Sequence, residues 1–171
     1  MRFPLFHLFL AFLALSLVAC DSGSSAESSP YGDQRYERHV SGSGISADCY
    51  VYSKGNLYTV LMEQHFGNMG EVELVSQLEL ESPMKMREEV SLLGVLSPET
   101  PTEYCSQEKA AYEQGLGGTV TCSKTKITAE ASIDDVNVGK LEVARKTVVA
   151  ELSNSCDEFL EQFKSEVLDA E

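Results

Sequence analysis

The sequence predicts an α+β domain in which an antiparallel sheet of about four strands carries two or three helices on one face. Three patterns support this. Residues 71–81 alternate strictly, with Val72, Leu74, Ser76, Leu78 and Leu80 on one side and Glu71, Glu73, Val75, Gln77, Glu79 and Glu81 on the other. That is the period of a strand with one face on a core and one in water. Two runs rich in Tyr, Val and Leu, 48–54 and 57–66, flank Ser53-Lys54-Gly55-Asn56, which has the turn chemistry of a β-hairpin. From Leu141 onward, apolar residues recur at spacings of three and four through Ala144, Val148, Leu152, Cys156, Phe159, Phe163 and Val167, the stripe of an amphipathic helix.

Taken in order, the hairpin is followed by a turn at Gly67-Asn68-Met69-Gly70 and then by the alternating strand, which completes an antiparallel meander. Ser82-Pro83 resembles an N-cap followed by proline at the first helical position, so 84–93 is expected to be a short helix. Thr100-Pro101-Thr102-Glu103 combines a capping box with proline at N1, and its helix should run to Gln114 and stop at Gly115. Gly117 and Gly118 lead into 119–133, whose Thr, Val and Ile content favours a strand. Its Lys124 and Lys126 would face the glutamates of the third strand if the two are neighbours. The C-terminal stripe is read as one long helix.

The N-terminus has its own organisation. Arg2 precedes an apolar run from Leu5 to Val18, broken only by His7 and Ser16. This run is too short for a spanning helix, which needs about 20 residues. It ends in Leu17-Val18-Ala19-Cys20, which resembles the lipobox of bacterial lipoproteins. The resemblance implies that residues 1–19 are a signal peptide, that Cys20 is the lipid attachment site and mature N-terminus, and that the protein is held to a membrane of the bacterial cell envelope on its periplasmic or extracytoplasmic side. Several acyl chains on one cysteine make such anchoring nearly irreversible. Asp21 resembles the inner-membrane retention signal of enteric lipoproteins. Residues 20–44 then form the lipidated cysteine and a Ser/Gly-rich tether with a flexible span of about 27 Å, leaving 45–171 as a single domain. Within the tether, Arg35-Tyr36-Glu37-Arg38-His39 is either a docking motif or a set of solvated linker residues.

Charge excludes one class of function. The chain has 27 acidic and 13 basic side chains, a formal net charge of -14, so nucleic acid and bare anionic lipid are repelled at long range. Beyond the anchor, Cys49, Cys105, Cys122 and Cys156 are an even set in an exported domain and are expected to form disulfides. Three connectivities are open. If the helix beginning at Pro101 folds back on the strand after Gly118, Cys105 and Cys122 both lie about 13 Å from the connection, which favours Cys105–Cys122 and leaves Cys49 for Cys156.

No catalytic motif is present. There is no Cys-x-x-Cys, no Gly-Lys phosphate loop and no dinucleotide fingerprint. Asp134-Asp135-Val136-Asn137 fails calcium-loop spacing and suits a turn and N-cap. His65 reads as a surface residue. Neither a cofactor nor a metal ion is expected. The concentrated charge feature on a regular element is Glu71, Glu73, Glu79 and Glu81, a candidate surface for an envelope protein or other cationic ligand. The expectation is a non-catalytic binding module, with an inhibitor of an envelope-directed enzyme as a variant. The alternative is a carboxylate-based hydrolase acting on an envelope polymer.

Overall fold

Alternating segments occupy more of the chain than the sequence reading assigned to strands. The computed structural model describes residues 29–94, 105–106, 109–110, 118–134 and 136–169. The signal segment, Cys20, the first part of the tether, the capping box at Thr100 and most of the helix expected to follow it lie outside these residues. Within the described set there are seven strands: β1 (Asp33–Gly42), β2 (Ile45–Lys54), β3 (Leu57–His65), β4 (Glu71–Glu79), β5 (Met84–Leu93), β6 (Thr119–Cys122) and β7 (Lys126–Ile133). One long helix, α1, spans Val138–Phe163. All strand pairs are antiparallel, in the order β1-β2-β3-β4-β5-β7-β6. Among the described residues no helix is long and apolar enough to cross a membrane.

Among the described residues, the expectation of about four strands with two or three helices is therefore corrected to seven strands with one long C-terminal helix, and Cys105, Ser106, Lys109 and Ala110, inside the helix expected after Pro101, are helical as well. Three local readings account for the difference. Asp33–Gly42, taken as tether, is an edge strand. Its Ser-Gly-Ser-Gly composition is a hairpin connection: Gly42 pairs with Ile45, and Ser43 and Gly44 both take positive φ, 52° and 79°, as a type I′ turn requires. Met84–Leu93, taken as a helix, is β5. Its Met84, Met86 and Val90 face inward while Lys85, Arg87 and Glu89 face out, and Ser82-Pro83 belongs to the turn from β4 rather than to a helix cap. The stretch 119–133 is two strands, because Ser123 closes a turn by accepting from the Lys126 N–H at 3.0 Å and donating its own N–H to the Lys126 carbonyl at 2.7 Å.

The hairpin β2–β3, the strand β4 and the C-terminal helix stand where the patterns put them. Asn137 caps α1 by accepting from the Lys140 N–H at 3.3 Å. The helix lies across β1, β2 and β3. It buries Leu141, Val148, Leu152, Cys156, Phe159, Leu160 and Phe163 against Ala47, Cys49, Val51, Val60 and Met62. Arg145 ties its first half to the residue just after β4, donating to the Leu80 carbonyl at 3.0 Å. Burial of this stripe supplies the hydrophobic driving force for docking. Two disulfides join the same two pairs that the depth argument favours, Cys49 with Cys156 and Cys105 with Cys122. Cys49 and Cys122 lie in one cross-strand row, through Met62, Leu74, Val90 and Ile127, so both bridges leave the helix-bearing face.

Candidate functional site

The opposite face of the sheet carries no helix among the described residues, and side-chain alternation places every other residue of each strand there. Its middle is a small second core of Tyr52, Leu61 and Val75, with Tyr31 and Tyr50 packed against it. Tyr31, just before β1, brings its ring to 5.6 Å from that of Tyr52, and the Tyr50 ring stacks on Tyr52 at 6.1 Å. Burial pushes the Tyr50 hydroxyl up to about 12, with the nearby Asp48 and Glu63 carboxylates adding to the effect.

The four glutamates expected to act together separate on this face. Glu71 and Glu73 lie at one end of β4, while Glu79 closes the strand at the other, about 27 Å from Glu71 and about 20 Å from Glu73 at 3.3–3.4 Å per residue. Glu79 is ion-paired with Lys85 at 3.0 Å. Glu81 lies beyond the strand and accepts from the Asn56 side chain at 3.0 Å. Neither lysine of 119–133 is placed opposite β4 by the sheet order, because β5 intervenes between β4 and β7. Lys126 instead pairs with Glu89 of β5 at 2.6 Å, and this hydrogen bond outweighs burial to hold the Glu89 carboxyl below its ordinary range.

The face thus has two unlike ends. At the β2–β3 turn end, an open groove of about 550 Å³ is lined by residues that include Gln77, Glu79, Lys85, Arg87 and Glu130. Its charges are largely internally matched, with Arg87 also reaching Glu89 at 3.0 Å and Glu130 at 3.7 Å.

At the other end Glu71 and Glu73 are joined by Asp48 and Glu63. Asp48 stands opposite Glu63, and Glu63 stands opposite Glu73. Two histidines complete the group. His39 Nδ1 lies 2.7 Å from Asp48 Oδ1, His65 Nε2 lies 3.9 Å from Asp48 Oδ2, and His65 Nδ1 lies 3.2 Å from Glu71 Oε1. Burial raises the Glu63 carboxyl above its ordinary value, the Glu73, Asp48 and Glu71 charges raise it further, and His65 opposes them. Among the described residues no three or more His, Cys, Asp or Glu side chains are grouped to hold a metal ion.

Sequence reasoning missed this convergence. One signal was legible: a two-residue turn at Gly55-Asn56 sets Lys54 opposite Leu57, and counting back along both strands puts Asp48 opposite Glu63. His39 was hidden because its strand was read as tether. The other residues of that motif are engaged too. Arg35 donates to Ser53 Oγ at 2.7 Å, Glu37 accepts from Gln34 at 2.7 Å, and Tyr36 and Arg38 both reach Asp157 on α1.

No protein-family model matches this chain, and neither does any curated protein or solved structure.

Proposed function

We propose that the protein is a lipid-anchored module of the bacterial cell envelope that binds a cationic partner protein, without catalysis, through the acidic end of its helix-free sheet face. The observation that supports this reading is the adjacency of Asp48, Glu63, Glu71 and Glu73 on three neighbouring strands, with Glu63 and Glu73 as direct cross-strand partners. Like charges placed opposite one another cost stability in a sheet. A basic surface docked there relieves that repulsion and gains a steered encounter. Ser29 follows Cys20 by nine residues, which span at most about 32 Å whatever their path. An anchor at Cys20 therefore keeps the acidic end within reach of other envelope proteins.

Two experiments test the proposal. Crosslinking in native envelopes should recover a basic partner with the wild-type chain and lose it with E71K/E73K, and an unchanged set of crosslinked proteins overturns the surface. Metabolic labelling with a radioactive fatty acid should mark the wild type and not Cys20→Ser, and an unlabelled wild type overturns the anchor. If the captured partner is an envelope-attacking enzyme whose activity falls on binding, the module is its inhibitor.

A further inference from the structure

The acidic end is bridged by histidine: His39 and His65 on Asp48, and His65 on Glu71. Elsewhere on the same face the pairs are made by Lys85, Arg87 and Lys126. Lysine and arginine keep their charge across the physiological range, whereas histidine is the side chain whose ordinary pKa, about 6.5, lies inside it. The groups facing the two rings are Glu37 on β1, Asp48 and Tyr50 on β2, Glu63 on β3, and Glu71 and Glu73 on β4. Beyond β4, Ser91 of β5 separates Glu73 from Lys126.

His65 shows how a proton acts here. A neutral imidazole has one N–H and one bare nitrogen. With the N–H on Nδ1 directed to Glu71 at 3.2 Å, the bare Nε2 faces Asp48 Oδ2 at 3.9 Å, one acceptor opposite another and too far apart for a hydrogen bond. A second proton turns that contact into a donor facing a carboxylate, so one charged ring holds β2 and β4 carboxylates together across β3. His39, on the other oxygen of Asp48, adds its charge from β1.

We propose that the His39–Asp48–His65–Glu71 chain is a proton-controlled gate on the acidic surface, open to a basic protein segment when the imidazoles are neutral and closed when they are charged. The gate rests on the reading that this end is the contact surface. Gating follows from competition. Four carboxylates carry a formal -4 with neutral rings and -2 with charged ones, and in the second state the His65 Nε2–H is turned on Asp48 in addition to the Nδ1–H already directed to Glu71.

The test measures binding of a fluorescent decalysine peptide to the full chain in neutral detergent, at low ionic strength, at about pH 8 and about pH 5.5. The proteins are wild type, H39Q/H65Q and E71K/E73K. Wild type should bind about tenfold more weakly at the lower pH, and H39Q/H65Q should lose most of that difference, keeping only the smaller part that the raised Glu63 carboxyl contributes, with a circular dichroism spectrum matching wild type. Equal pH dependence in wild type and H39Q/H65Q overturns the gate. So does a wild type that binds equally at both pH values; if E71K/E73K has then lost binding, the contact surface still stands. Wild-type binding no tighter than that of E71K/E73K at about pH 8 removes the contact surface, and the gate falls with it.

Discussion

Arg38 on β1 donates to Asp157 on α1 at 2.5 Å, and Asp157 directly follows Cys156, whose disulfide partner Cys49 stands opposite Arg38 in the β1–β2 ladder. Ladder, disulfide, backbone and ion pair close a ring through the edge strand, its neighbour and the helix. Tyr36 and Glu161 extend the ring, Tyr36 donating to Asp157 and Arg38 also donating to Glu161. A strand that is polar along most of its length is held in the sheet by this contact with the helix.

Acid should loosen that contact in a defined direction. Burial on its own would raise the Asp157 carboxyl, but hydrogen bonds from Tyr36 and Arg38, with the guanidinium charge, outweigh it and hold the group below its ordinary range. A carboxylate depressed on folding contributes stability that is present above the unfolded value, about pH 4, and lost as pH falls through the lower folded value. Asp157→Asn is expected to lower the thermal midpoint at neutral pH by about 2–4 °C and to flatten the loss of stability below about pH 4. Thermal melts of both proteins across the acid range check this, and parallel acid profiles would count against the ring.

The two disulfides should differ in what they contribute. Cys49–Cys156 spans 107 residues and Cys105–Cys122 spans 17. In the chain-entropy description these loops correspond to about 4–5 and about 3 kcal/mol. Cys49→Ser/Cys156→Ser should therefore cost more stability than Cys105→Ser/Cys122→Ser in urea unfolding, and the reverse order would show that the unfolded chain is not the main reference. Peptide mapping of the unreduced protein should return these two pairs.

Strand β1 should behave as part of the domain rather than as tether. A chain beginning at Ile45 loses Tyr36 and Arg38 and leaves the long, largely buried β2 as an open edge, a template for intermolecular pairing. Compared with a chain beginning at Ser29, it is expected to melt at lower temperature and to form large species in light scattering. Equal melting temperatures and monodisperse behaviour would return 33–42 to the tether.

Legibility in the sequence followed how local each signal is. The β2–β3 hairpin was readable because Gly55-Asn56 interrupts two apolar runs, and α1 because a stripe from Leu141 to Phe163 has one period over many turns. Strand β5 was missed because Ser82-Pro83 has the form of a helix start, and because Glu88 interrupts the inward alternation of Met84, Met86 and Val90 that would have spoken for a strand. In the fold Glu88 is 5% exposed and accepts from Ser76 Oγ at 3.4 Å across the ladder, a cost met by a neighbour that local pattern does not name. Strand β1 was missed because Asp33, Arg35, Glu37 and His39 give it the composition of a solvated linker, while its inward side relies on an aromatic ring and an arginine paired with a helix 119 residues later.

By itself, the sequence determined the acidic balance, which is a sum over residues, and the central hairpin, the alternating β4 and the C-terminal helix, each of which depends on residues within a few positions of one another. Tertiary structure alone decided that the sheet has seven strands, that Glu71 and Glu73 part company with Glu79 and Glu81, and that His39 and His65 meet at Asp48. The reason is the geometry of a sheet: side-chain neighbours across strands are set by register, and register is fixed only when each strand has a partner and a buried face to align with.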